Sequence, residues 1–107
     1  MIKIENIQLN GCIDAVSSKS MAHRYLICSA LSDLNSSLYI PNISDDVKMT
    51  IDCLKKLGAD IKIDGRILKV IPINIDKLKK INEVLKFDMG ESGTTFRFML
   101  PVITSLL

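Results

Sequence analysis

The sequence predicts an α+β fold (mixed α/β), a two-layer βαβαββ unit with helices on one face of a mixed sheet. Three observations predict it: two segments carry apolar residues at helical spacing, short β-rich runs precede and separate them, and a hairpin pattern closes the unit. The chain has 107 residues, of which 48% are hydrophobic. This length and composition suit a single globular domain.

The first 16 residues predict two short strands. Apolar residues alternate over 2–9, and Asn10-Gly11 is typical of a two-residue hairpin turn leading into Cys12–Val16. A hydroxyl-rich loop follows, and then the first helix. The buried stripe of this helix is expected at Met21, Tyr25, Cys28 and Leu31, with Ala22 and Leu26 beside it.

The second helix follows a short β-rich run that Pro41 closes. Ser44 or Asp45 is expected to cap it and Gly58 to end it. Acidic residues lie in its first turn and lysines in its last, as the helix dipole favours. Its predicted buried stripe is Val47, Ile51, Leu54 and Leu57.

The remaining elements are a hairpin and a third helical region. Alternating apolar segments flank a tight turn at Asp64-Gly65 and must be antiparallel, whereas the strands between the helices can be parallel. The lysine-rich segment 74–87 fits an amphipathic helix or a loop, and both alternatives stay open. A short apolar strand is then expected before a last helix that begins near Thr94.

Composition excludes several classes of function. The net charge is +2 and the chain has no Trp, two Tyr and three Phe, so nucleic acid is not an expected partner. No stretch reaches the length of a membrane helix and no signal-peptide pattern opens the chain, so we expect a cytoplasmic protein without a membrane partner. The apolar C-terminal run stops without a cap, which suggests a cut chain. The three cysteines Cys12, Cys28 and Cys53 are expected to be reduced and buried, with no metal site.

Two polar turns, "SSKSMAHR" at 17–24 and "GESGTTFR" at 90–97, each precede or open a predicted helix. In the first, Lys19, Ser20 and Arg24 can converge with free backbone N–H groups on one anion. In the second, Gly93 lets the backbone approach a ligand, while Thr94, Thr95 and Arg97 add hydroxyls and a cation. The alternative for each turn alone is an ordinary helix cap with a solvated arginine. The two turns together favour a pair of anion sites.

Other polar residues fit structural roles better. His23, the only histidine, is expected to be an exposed helix residue, because no carboxylate in sequence is placed to orient it. Asp45-Asp46 is explained by capping and by the helix dipole. The alternative, that one of these carboxylates holds Lys19, stays open.

Three blocks, "SSKSMAHRYLICSALS", "NISDDVKMTIDCLKKLGADI" and "MGESGTTFRFMLPV", resemble the 5-enolpyruvylshikimate-3-phosphate synthase family, or 3-phosphoshikimate 1-carboxyvinyltransferases, over nearly the whole chain. The resemblance implies transfer of the enolpyruvyl group from phosphoenolpyruvate to the 5-hydroxyl of shikimate 3-phosphate, with release of phosphate, in the shikimate pathway. It implies no metal or organic cofactor. Two anionic small-molecule substrates agree with two anion-binding turns.

The resemblance also implies residue roles. Lys19 matches a lysine that touches both substrates and assists proton transfer, Ser20 and Arg24 match ligands of shikimate 3-phosphate, and Gly93 and Thr94 match the phosphoenolpyruvate site. Glu91 stands where many members have asparagine. Possible supporting residues are Asp46, Glu91 and Arg97.

The family fold implies two similar domains with the active site between them. Residues 1–16 would then belong to the opposite domain, and 17–107 would form an incomplete substrate-binding domain. We therefore expect this chain alone to be inactive and prone to self-association, and the full-length enzyme to be a monomer. The alternatives are a UDP-sugar enolpyruvyl transferase, which would be expected to have Lys-Asn at 19–20, and a stand-alone βαβαββ module that binds RNA.

Overall fold

A computed structural model describes the whole chain, residues 1–107. Helices and strands begin only at residue 19, and 17 buried hydrophobic residues form one core between them. In chain order the elements are α1 (Lys19–Leu31), β1 (Ser36–Tyr39), α2 (Asp45–Lys56), β2 (Asp60–Asp64), β3 (Ile67–Ile71), α3 (Ile75–Leu78) and α4 (Gly93–Leu106).

Helix α2 forms where the sequence predicts it. The Ser44 hydroxyl caps it by accepting the Val47 N–H at 3.3 Å. At the other end, Gly58 takes a φ of 106°, a conformation that glycine adopts without strain. The predicted stripe is confirmed, because Val47, Ile51, Leu54 and Leu57 are all at most 3% exposed. Burying each such side chain contributes about 1.5–3 kcal/mol to folding.

Helix α1 forms as expected but turns a different face to the core. The predicted stripe is wrong: Met21, Tyr25 and Leu31 are 40–53% exposed, and Cys28 is exposed as well. Apolar residues surround most of this helix, so spacing alone does not decide which side is buried. Packing against α2 and the sheet selects the other face, which consists of Ala22, His23, Leu26, Ile27, Ser29 and Ala30.

The three strands form a sheet in the order β1-β3-β2, and both pairs are antiparallel. The expected mixed sheet is therefore wrong. β1 and β2 do run in the same direction, but β3 lies between them, because the hairpin closed at Gly65 folds β3 back along β2 and leaves its free edge for β1. Ile61, Leu68 and Val70 are buried on the side of the helices, which confirms helices on one face.

No strand forms before α1, so the predicted N-terminal hairpin is wrong. A two-residue type I′ turn needs positive φ at both central residues. Gly11 has a positive φ of 133°, but the φ of Asn10 is negative. An isolated two-stranded hairpin is marginally stable in water. Residues 1–16 are exposed throughout, so no packing supports a hairpin here.

The segment between β3 and α4 is mostly irregular. Of the two alternatives for 74–87, a loop with one short helix is observed, since α3 covers only Ile75–Leu78. The expected strand before the last helix does not form. Helix α4 begins at Gly93, one residue before the prediction, and continues through Pro101. None of the helices has both the length and the apolar character needed to cross a lipid bilayer.

The three cysteines have different environments. Cys53 is buried as expected, but Cys12 and Cys28 are exposed, so the prediction of three buried thiols is wrong. Cys12 lies in the exposed N-terminal segment, and Cys28 lies on the outer face of α1. Burial raises the pKa of the Cys53 thiol above its ordinary value of 9.0, and the carboxylates of Asp52 and Asp88 raise it further against the opposing effect of Lys56.

Two thiols should therefore react faster than the third. With a disulfide reagent at neutral pH, we expect Cys12 and Cys28 to be labelled at least about tenfold faster than Cys53, because only exposed thiols with an accessible thiolate react. Mass spectrometry of time points identifies the labelled residues, and labelling in urea, where all three should react alike, is the control. Equal rates in the folded protein would contradict the burial of Cys53.

Candidate anion-binding site

Three helices begin beside one another, and Asp46 joins their first turns. The Lys19 ammonium at the start of α1 lies 3.3 Å from the Asp46 carboxylate at the start of α2. The Thr95 hydroxyl in the first turn of α4 donates to the Asp46 carbonyl at 3.1 Å. The first turns of the three helices therefore meet at Asp46, and the free N–H groups at a helix start favour an anion nearby.

The Lys19–Asp46 contact confirms the alternative that an acidic residue of α2 holds this lysine. The Lys19 side chain is 60% exposed and that of Asp46 is 37% exposed, so the pair lies at the surface. Such pairs contribute about 0–1 kcal/mol to stability. Lys19 is therefore available to a ligand at little cost to the fold.

The first predicted turn places its other polar residues on the surface of α1. Ser18 is the N-cap and accepts the Met21 N–H at 3.3 Å, which leaves the hydroxyl of Ser20 for other partners. Ser20 and Arg24 are both exposed, one helical turn apart on the same side. The guanidinium of Arg24 forms no ion pair in this structure. Lys19, Ser20 and Arg24 thus present two cations and a hydroxyl along one end of α1.

The second predicted turn exposes the backbone at Gly93. A Cβ atom built on Gly93 would meet no other atom within 4 Å, and the φ of this residue is negative. The fold itself therefore does not require glycine at this position. Open space over an N-terminal peptide group of α4 fits the close approach of a ligand. Around it, Thr94 is half-buried, while Glu91 and Arg97 are exposed.

A buried chain of hydrogen bonds lies beneath these turns. The His23 Nδ1 atom is 2.7 Å from the Thr50 hydroxyl, which is 2.9 Å from the Thr95 hydroxyl. Ser92, the N-cap of α4, lies 2.7 Å from the same Thr95 oxygen and accepts the Thr95 N–H at 3.0 Å. The chain ties α1, α2 and α4 together at the site.

These buried hydrogen bonds correct two expectations. His23 is 1% exposed and not a surface residue, and Thr95 is fully buried with its hydroxyl directed inward, so it is not offered to a ligand. Ser92 is a typical N-cap residue, and the cap places Thr95 at the third position of the helix, within reach of the Ser92 hydroxyl. No sequence signal marks His23 and Thr50, because they are 27 residues apart and meet only through helix packing.

The environment of His23 favours its neutral form. Burial lowers the pKa of the imidazole below its ordinary value of 6.5. The carboxylate of Asp46 raises this pKa in part, and the ammonium of Lys19 lowers it further. The folded protein therefore binds fewer protons at this group than the unfolded chain does. The stability gained by keeping His23 neutral is fully present above the ordinary pKa of the imidazole. It is lost as the pH falls through the lowered pKa of the folded state.

We expect the free energy of unfolding to fall on acidification below about pH 6.5, ahead of the range in which carboxylates titrate. Urea denaturation across this range measures it. His23 is the only histidine, so a His23→Asn variant, which cannot titrate, should lack this part of the pH dependence. An identical pH profile in both proteins would show that the imidazole is not held neutral.

Comparison with known proteins identifies the family to which the chain belongs. Residues 4–106 match the family model for EPSP synthase (3-phosphoshikimate 1-carboxyvinyltransferase). Relatives with the name 3-phosphoshikimate 1-carboxyvinyltransferase include one from Clostridium botulinum (strain Alaska E43 / Type E3), 42% identical over 101 residues, and one from Clostridioides difficile (strain 630), 36% identical over 107 residues. Each alignment covers 94% of this chain but only 23% and 24% of the respective relative, so the chain spans about a quarter of their length. The chain belongs to the EPSP synthase family.

Proposed function

We propose that the chain forms part of an enzyme that transfers the enolpyruvyl group of phosphoenolpyruvate to the 5-hydroxyl of shikimate 3-phosphate and releases phosphate. The observation that carries the proposal is the meeting of three helix N-termini at Asp46, with Lys19 and the open backbone of Gly93 beside them. Both substrates are anions with phosphate and carboxylate groups. Free N–H groups, an ammonium and a guanidinium are the partners that such groups need.

The positions of the side chains suggest a division of roles. Ser20 and Arg24 line one end of α1 and would bind the shikimate phosphate. Gly93 and Thr94 open α4 and would bind phosphoenolpyruvate through backbone N–H groups and a hydroxyl. Lys19 would touch both substrates and assist proton transfer, because its ammonium lies at Asp46, whose carbonyl also accepts from the first turn of α4. Asp46, Glu91 and Arg97 would support the site, with Asp46 holding Lys19 until a ligand takes over the contact.

The chemistry needs more than this site provides. A general acid must protonate the methylene carbon of phosphoenolpyruvate, and the closed site must exclude water until phosphate leaves. The lysine and arginines of this surface are exposed, so a second surface has to cover them. We propose that a second domain does so when substrate binds, that residues 1–16 belong to it, and that residues 1–107 alone do not turn over.

A chimaera tests this function. Residues 1–107 would replace the matching segment of the Clostridium botulinum relative, and phosphate release would be followed. We expect release only when phosphoenolpyruvate and shikimate 3-phosphate are both present. Residues 1–107 alone should release none. A chimaera that folds and shows no activity, or that accepts a UDP-sugar in place of shikimate 3-phosphate, would contradict the proposal.

A further inference from the structure

The buried hydrogen-bond chain has one consistent direction. The Asp46 carbonyl can only accept, so the single hydroxyl proton of Thr95 is used in the 3.1 Å bond to it. The hydroxyls of Thr50 and Ser92, at 2.9 and 2.7 Å, must then donate to the Thr95 oxygen. Thr50 has no second proton, and it therefore accepts from His23 Nδ1 at 2.7 Å. This direction of the hydrogen bonds assigns the imidazole proton to Nδ1 and a lone pair to Nε2.

The other side of the imidazole is unusual. His23 Nε2 is buried and has no hydrogen-bond partner, and an unpartnered buried acceptor destabilises a fold. Of the aromatic rings, that of Phe98 lies nearest, with its centroid 6.4 Å from that of His23. An apolar residue would fill this position without the penalty. The histidine differs from an apolar residue in supplying one Nδ1–H donor to the Thr50 hydroxyl, where the buried hydrogen bonds begin.

We propose that His23 is a positioning residue: its Nδ1–H orients Thr50 and Thr95, and these fix the first turn of α4 and the Asp46 main chain relative to α1. The proposal rests on the proposed function, because the groups so placed are the Gly93 backbone and the carboxylate that holds Lys19. His23 does not itself touch substrate, since it is 1% exposed. It determines whether the two anion-binding turns hold their spacing before a ligand arrives.

Two variants separate a positioning role from a simple packing role. In His23→Asn the side-chain amide N–H can take the place of Nδ1–H, whereas in His23→Gln the amide reaches the position of Nε2. We expect His23→Asn to bind phosphoenolpyruvate within about twofold of the unchanged protein, and His23→Gln to lose roughly tenfold. The backbone amide signals of Gly93 and Thr94 should shift in His23→Gln alone.

Thr50 provides a second pair. Thr50→Ser keeps the hydroxyl that links His23 to Thr95 and should retain affinity for phosphoenolpyruvate. Thr50→Val removes this hydroxyl and should cause the same loss of affinity as His23→Gln. Combining Thr50→Val with His23→Gln should add little further loss, because both act through one chain. If His23→Asn and His23→Gln bind equally well, or if their affinities follow only their melting temperatures, the imidazole is a packing residue and the proposal is wrong.

The tautomer tests the proposal without any ligand. Nitrogen chemical shifts of the imidazole in the unchanged protein distinguish a proton on Nδ1 from one on Nε2, and we expect Nδ1. A proton on Nε2 would overturn the proposal whether or not the protein binds phosphoenolpyruvate. Conversely, the Nδ1–H form together with selective shifts of Gly93 and Thr94, in a protein that binds neither substrate, would uphold the positioning of the turns and reject the proposed function.

Discussion

Replacing Lys19 with methionine should abolish turnover in the chimaera and weaken binding of shikimate 3-phosphate and phosphoenolpyruvate to residues 1–107. A charge-assisted hydrogen bond contributes about 1.5–3 kcal/mol, so the loss in affinity should be roughly tenfold to a hundredfold. Stability should change little. The pair that Lys19 forms with Asp46 is exposed at the surface, and such a pair contributes about 0–1 kcal/mol.

The chain offers a matched control for this variant. Lys48 also pairs with a carboxylate in the first turn of α2, at 3.5 Å from Asp45, and its side chain is 58% exposed against 60% for Lys19. Lys48→Met removes the same charge and should leave affinity unchanged. Isothermal titration and thermal denaturation of both variants give the answer. A large drop in melting temperature for Lys19→Met would show that Lys19 is structural, and equal losses of affinity would show that only net charge matters.

Replacing Gly93 with alanine is the second change with a large expected effect. The added Cβ would meet no atom of the protein within 4 Å, and replacing glycine by alanine at a compatible backbone position stabilises a protein by about 0.4–1 kcal/mol. The fold should therefore be retained or slightly stabilised. The new methyl group would instead occupy the space over the backbone where we place phosphoenolpyruvate, so binding of that ligand should fall by at least roughly tenfold.

Gly65 provides the opposite case. Its φ of 60° lies in the left-handed region, where a residue with a Cβ is strained by about 1–2 kcal/mol. Gly65→Ala should therefore lower the melting temperature while leaving affinity intact, since Gly65 lies in the β2–β3 hairpin. Urea denaturation and ligand titration of both variants test the pair together. If a well-folded Gly93→Ala protein bound phosphoenolpyruvate with unchanged affinity, the proposed position of this ligand at the start of α4 would be wrong.

The fold was predictable where a segment carried several independent signals. In α2 the spacing of apolar residues, the Ser44 cap and the terminal Gly58 all indicated the same element, and the structure confirms each of them. In α1 the apolar residues give no preferred side, so tertiary packing decided which face was buried. At Asn10-Gly11 a strong local turn signal had no sheet to support it, and no hairpin forms.

Local patterns of cations, hydroxyls and glycine predict Lys19, Arg24 and Gly93 as candidate anion ligands, and the structure shows that all three are exposed. The buried part of the candidate site could not be predicted in this way. In the buried chain of hydrogen bonds, His23 and Thr50 are 27 positions apart in sequence, and Thr50 and Thr95 are 45 positions apart. Only helix packing creates such contacts, and no local pattern reveals them.

We propose that the first turns of α1 and α4 bind the two substrates at one place. The decisive experiment is a titration of residues 1–107 with shikimate 3-phosphate and then phosphoenolpyruvate, followed by backbone amide shifts. We predict changes confined to 18–24 and 90–97, with the Asp46 amide between them. Shifts that appear with RNA and not with either substrate, or substrate-induced shifts that leave both segments unmoved, would contradict the claim.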